Sequence, residues 1–169
     1  MSRMRNQPSL APLLGGMLAV LGLCILSLAA QADDAPAQFQ PQVWLNDGFY
    51  AYHFQRDRNL RNNALGLGVE YRYSPESAVT AGVYHNSNWG TSHYLAYYWR
   101  PLTLGPVRFG AIMGVVDGYP GTRKGGWVPA VLPTAHVEYG WIGLNVFYVP
   151  SYKDSVNGSI TYQLNLKVW

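Results

Sequence analysis

Leu65–Tyr73 alternates without a break: Leu65, Leu67, Val69, Tyr71 and Tyr73 fall on one face, Gly66, Gly68, Glu70 and Arg72 on the other. A period of two residues belongs to a β-strand whose faces meet different surroundings. The period returns along the chain. Val79, Ala81 and Val83 oppose Thr80, Gly82 and Tyr84, and Val107, Phe109, Ala111, Met113 and Val115 oppose Arg108, Gly110, Ile112, Gly114 and Val116. Ile142, Leu144, Val146 and Tyr148 oppose Gly143, Asn145 and Phe147, and Ile160–Val168 repeats the pattern against Ser159, Thr161, Gln163, Asn165 and Lys167. Less regular aromatic-rich stretches at Val43–Phe54, Ser92–Arg100 and Ala130–Tyr139 complete eight expected strands. Their length, roughly nine to eleven residues, is what a tilted strand needs to cross a bilayer.

Which face meets lipid follows from the side chains. The apolar faces carry tyrosine near strand ends, whereas the opposite faces carry glycine with Glu70, Arg72, Arg108, Asn145 and Gln163. A soluble barrel would turn the apolar face inward. Apolar faces ending in aromatics, over a glycine-lined polar interior, belong to a membrane barrel. The connections after the first, third, fifth and seventh strands are longer, and Ser74–Ser77, Pro101–Pro106 and Gly140 read as short turns. Long outer loops and short periplasmic turns are the barrel pattern, and an even strand count closes the sheet with both termini in the periplasm. The expectation is an all-β, eight-stranded antiparallel transmembrane barrel of the bacterial outer membrane over residues 43–169.

The segment before it reads as a secretory leader. Arg3 and Arg5 precede an apolar run from Leu13 to Ala30, and Ala30-Gln31-Ala32 supplies the small residues of a cleavage site. Residues 1–32 are therefore expected to be removed, and residues 33–42, polar with two prolines, to form a short periplasmic lead. Of 169 residues, 137 remain, enough for one domain. Losing Arg3 and Arg5 from twelve basic residues leaves ten against nine acidic, a net charge of +1 that gives no reason to expect nucleic acid as a partner. Cys24 goes with the leader, so the mature chain has neither a disulfide nor a thiol nucleophile.

Chemistry points to one rim. The alternation that begins at Val79 stops at His85-Asn86-Ser87-Asn88, small polar groups at the mouth of an apolar strand. The topology sends these residues and His53, at the end of the first strand, to the same outer edge. A serine beside a histidine is a candidate nucleophile and base for acyl transfer on lipid. His85 and His93 flank the same loop and are rival bases. His136 falls on the lumen face near the other end, as a hydrogen-bonded interior group. No histidine spacing fits a metal site, and no cofactor motif is present. Pro133, within the sixth strand, and Pro150, at the end of the seventh, each remove a ladder donor. Two such residues on adjacent strands would open the wall locally and let a lipid chain pass sideways.

Trp99-Arg100-Pro101-Leu102, the spacing of Trp127–Ala135, Val137–Gly140 and Tyr148-Val149-Pro150-Ser151-Tyr152 together resemble the lipid A palmitoyltransferases of the outer membrane (the PagP family). The resemblance implies a monomeric, cofactor-free barrel that moves a palmitoyl chain from a phospholipid donor to lipid A as acceptor, its reactive rim facing the cell exterior. It implies that Pro133 and Pro150 frame the lateral entrance for phospholipid, that His53 and Ser87 are functional, and that Tyr94 lies near the floor of the acyl pocket. Asn86 stands where the family has aspartate. An asparagine takes no proton, so in that position it would orient a neighbour or donate to an oxyanion. The opening stretch also resembles the H-x-S-N motif of lipid A deacylases (the PagL family), which implies instead that His85 is the base of Ser87 and that an asparagine, such as Asn88, assists the oxyanion. That reading conflicts with the alternation, which puts His85 and Ser87 on the face of Val83 unless the strand has ended or bulged.

Overall fold

The computed structural model describes residues 38–152 and 156–169. The expected leader and most of the lead lie outside the described residues. Eight strands follow in order: β1 (Gln42–His53), β2 (Asn63–Arg72), β3 (Ser77–His85), β4 (Thr91–Leu104), β5 (Val107–Val116), β6 (Val128–Tyr139), β7 (Ile142–Val149) and β8 (Ser159–Lys167). Each pairs antiparallel with its neighbours, and β8 returns to β1 to close the barrel. The fold is the expected all-β, eight-stranded closed barrel. Beyond β8 the backbone continues the seam, with Val43 N–H donating to the Trp169 carbonyl at 2.7 Å and Val168 N–H to the Val43 carbonyl at 2.9 Å.

The faces divide as the alternation requires. Leu65, Leu67, Leu95 and Val131 are more than half exposed on the outside, while Glu70, Arg72, Asn145 and Gln163 are buried inside. The connections 54–62, 86–90 and 117–127, with residues 150–152 and 156–158, gather at one end, the loop end. Those at 73–76, 105–106 and 140–141 gather at the other, the turn end.

At the turn end the lumen is filled by charge and amide groups. Glu70 accepts from Arg72 at 3.1 Å and Arg100 at 3.3 Å, and Glu138 accepts from Arg72 and, at 3.1 Å, from Arg108. Asn145 accepts from Arg100 at 3.1 Å, lies 2.8 Å from the His136 ring, and donates to Gln163 at 3.2 Å. His136 is thus the interior hydrogen-bonded group its position suggested. Buried charges persist only where opposite charges and hydrogen bonds offset the loss of water. This layer closes the barrel at that end.

Two strands depart from the simple pattern. In β1 the register shifts between Asp47 and Phe49 against β2, and between Asn46 and Tyr50 against β8. Trp44 and Asn46 point inward before this bulge; Ala51 and His53 do so after it. An extra residue inverts the parity of everything that follows it on the strand. Gly48 sits at the inversion, where a Cβ would lie 2.0 Å from the Ala64 carbonyl oxygen, so any side chain would force the two strands apart. In β4 the expected turn at Pro101–Pro106 is corrected: the strand runs on to Leu104. A register shift between Trp99 and Leu102 carries Pro101 through the ladder at a bulge, where a missing N–H is tolerated.

The wall is also uneven. β6 pairs with β5 along its whole length, from Val107↔Val137 to Val116↔Val128. Its ladder with β7 runs from Tyr139↔Ile142 only as far as Thr134↔Phe147. From Pro133 to the loop end, β6 has no ladder partner on the β7 side, and β7 reaches Pro150 paired to β8 alone.

Candidate functional site

His53 is the last residue of β1, and the Gly48 bulge is what turns it into the barrel, where it is only 7% exposed. Its Nε2 lies 3.2 Å from Ser87 Oγ and its Nδ1 lies 2.9 Å from Asn62 Oδ1. An amide oxygen only accepts, so Nδ1 carries the ring hydrogen and Nε2 presents its lone pair to the serine hydroxyl. The result is a hydroxyl, an imidazole and an orienting acceptor in sequence, the geometry by which a serine is activated as a nucleophile.

Ser87 reaches His53 because β3 has ended. The strand stops at His85, which keeps the parity of Val83 and stays on the exposed outer face. Ser87 sits in the following turn, free of that parity. Its loop is held by Asn86, which is fully buried. The Asn86 amide donates to Ser92 Oγ at 2.9 Å and to the Gly118 carbonyl at 2.8 Å. Its oxygen accepts from the backbone N–H groups of Asn88 and Gly90, each at 3.0 Å. Every hydrogen-bonding group of that side chain is spent on the loop, so Asn86 shapes the turn that presents Ser87 and has no donor left for an oxyanion. Asn88 is exposed at the mouth of the site.

The facing loop is fastened to this one. Arg61 N–H donates to the Ser87 carbonyl at 3.0 Å, Trp89 Nε1 donates to the Asn59 carbonyl at 3.1 Å, and the Arg61 guanidinium lies over the Trp89 ring at 4.4 Å. The rival histidine His93 faces outward, where its backbone N–H donates to Asp117 at 2.6 Å. That N–H, helped by the His93 ring, holds the Asp117 carboxyl below the usual carboxylate range.

His53 and Ser87 both line an apolar cavity of about 820 Å³ that occupies the loop-end half of the lumen. Ala96, Ile112 and Leu132 contribute to its walls, and Pro150 lies where the β6–β7 ladder has parted. Towards the polar layer the cavity meets Phe49, Tyr94, Tyr98 and Phe147, whose rings make edge and stacked contacts 5.9 to 6.3 Å apart. Tyr94 therefore lies at the inner end of the cavity. Its hydroxyl rests over Gly68 and Gly82, where added Cβ atoms would fall 2.1 and 2.6 Å from it, so these glycines make the room the ring needs. His53 also lines a smaller polar groove of about 330 Å³ with Tyr50, Tyr52, Arg56, Asn59 and Asn62.

Of the residues singled out in the sequence, His53 and Ser87 meet, Tyr94 lines the same cavity, and Pro133 and Pro150 flank the parted ladder. Asn62 was not singled out. It lies in a charged loop without periodicity, and only the approach of that loop to 86–90 reveals it. Among the described residues no cluster of three or more His, Cys, Asp or Glu side chains is placed to hold a metal ion.

No protein-family model matches the chain, and no curated protein matches it. Among solved structures, the barrel is similar to a de novo designed protein, TMB2.3, determined by solution NMR, with a TM-score of 0.55 and 16% identity over 78% of this chain and 98% of that one. At that identity the likeness is one of fold, an eight-stranded barrel of the transmembrane kind.

Proposed function

We propose that the protein is an acyltransferase of the bacterial outer membrane that moves a palmitoyl or similar chain from a phospholipid to lipid A. The observation that carries this reading is the His53–Ser87 pair at the boundary between an apolar cavity and a polar groove, both lined by His53. An acyl chain belongs in the first and a sugar headgroup in the second. The parted ladder beyond Thr134 and Phe147, flanked by Pro133 and Pro150, supports entry of the donor from the side, out of the membrane. An apolar exterior, with the loops at one end and both chain ends of the barrel at the other, supports insertion with the reactive rim facing outward. The barrel acts as a monomer in this reading and needs no cofactor.

The chemistry follows from the geometry. His53 Nε2 takes the Ser87 proton as Oγ attacks the phospholipid ester carbonyl. The proton passes to the departing glycerol oxygen, leaving an acyl-serine and a lysophospholipid. A lipid A hydroxyl then gives its proton to His53 and attacks the acyl-serine, and His53 returns that proton to Ser87 Oγ as the acyl–oxygen bond to the serine breaks. The deacylase reading needs His85 as base, and His85 lies on the outer face.

Mass spectrometry of lipid A from cells with and without the gene tests the assignment. The expected result is a mass gain of one acyl chain, lost in Ser87→Ala and His53→Ala, each lowering the rate by roughly 100-fold or more. A mass loss would indicate a deacylase, and an unchanged lipid A a barrel without this activity; either would overturn the proposal.

A further inference from the structure

We infer that Asn62 is a positioning residue that fixes His53 in the tautomer the serine requires; this rests on reading Ser87 and His53 as the reacting pair. A neutral imidazole has one N–H and exchanges it between its two nitrogens unless a neighbour selects one. With the hydrogen on Nε2, the ring would donate toward Ser87 and offer it no base. The acceptor 2.9 Å from Nδ1 is Asn62 Oδ1, which holds the hydrogen on the far side of the ring from Ser87.

The position of Asn62 is set independently of its side chain. Its carbonyl accepts from Ala51 N–H at 2.8 Å, extending the β1–β2 ladder past its last named pair. The preceding residue, Arg61, donates its N–H to the Ser87 carbonyl at 3.0 Å. Two consecutive residues thus align both halves of the pair, one through the serine backbone and one through the imidazole. The segment spans nine residues from His53, and its loop docks on residues 86–90 through Trp89 and Asn59. An asparagine orients the ring as an aspartate would, while stabilising the imidazolium less, since the amide carries a dipole in place of a full charge.

The test uses the full chain expressed in a bacterial host and purified from its membranes in detergent, with ¹⁵N-labelled histidine. NMR of neutral His53, assigned by comparison with His53→Gln, is expected to show Nδ1–H in the wild type. In Asn62→Ala the ring is expected to shift to a mixture or to Nε2–H, with kcat lower by roughly 10- to 100-fold and KM little changed. Asn62→Asp is expected to keep Nδ1–H, to retain activity, and to move the acid limb of the pH–rate profile to higher pH, because a carboxylate favours the protonated ring. A merely structural asparagine would leave tautomer and pH profile unmoved. Nε2–H in the wild type, or the same tautomer in Asn62→Ala, would overturn the inference. If Ser87→Ala retained full transfer, the assignment of Ser87 as nucleophile would fail, and if the wild type added no chain to lipid A the acyltransferase reading would fail; in either case the spectra would still decide whether Asn62 fixes the His53 tautomer.

Discussion

Thr134 on β6 and Phe147 on β7 are the last partners of their ladder, and one residue further on Pro133 begins a stretch with no pairing across that seam. The outward residues flanking the opening are Pro133 and Tyr148. Cys24 is the sole cysteine of the sequence, so Pro133→Cys with Tyr148→Cys introduces the only thiols after it. Joining them with a cleavable bifunctional reagent is expected to block acyl transfer from phospholipid in membranes and to restore it on cleavage. Undiminished turnover in the cross-linked protein would mean that the donor enters elsewhere.

Asn86→Asp exchanges an amide for a carboxylate in the buried side chain that holds the loop carrying Ser87. Here it is expected to destabilise. A carboxylate cannot donate to Ser92 Oγ and would face the Gly118 carbonyl oxygen as a second acceptor. Leaving buried partners unmatched costs about 1–3 kcal/mol. Thermal unfolding in detergent should show the loss, with activity falling in parallel, whereas Ser87→Ala should lose activity at unchanged stability.

Tyr94→Ala removes the ring at the inner end of the apolar cavity. The space it vacates, above Gly68 and Gly82, lengthens the cavity toward the polar layer. Transfer assayed with donors of graded chain length is expected to shift toward longer chains, at a cost in stability of about 3–5 kcal/mol for a large-to-small change at an aromatic. An unchanged preference would place the end of the bound chain elsewhere.

Glu70→Gln withdraws the anion shared by Arg72 and Arg100. Arg72 keeps Glu138, but Arg100, almost fully buried, is left with the neutral Asn145, and a buried charge stripped of its counter-ion costs about 3–5 kcal/mol. Denaturant unfolding should register the loss. The transfer rate below the transition should change little, since the polar layer lies beyond the aromatic floor of the cavity.

The local part of this protein is legible in its sequence. Strand number, the outward and inward faces of β2, β3, β5, β7 and β8, and the division into a loop end and a turn end follow from a two-residue period and from turn residues, all of which act between near neighbours. So does the placement of His136 in the interior. What the alternation does not contain is the orientation of His53. Counted from Leu45, an odd-numbered residue of β1 faces outward, and only the extra residue at Gly48, packed against the Ala64 carbonyl, reverses it. The meeting of His53 with Asn62 and Ser87 is likewise a product of the closed barrel, because it depends on two loops docking across 34 residues of chain. Side-chain period is a property of one strand, whereas bulges and loop contacts are settled between strands, and the site is made of the latter.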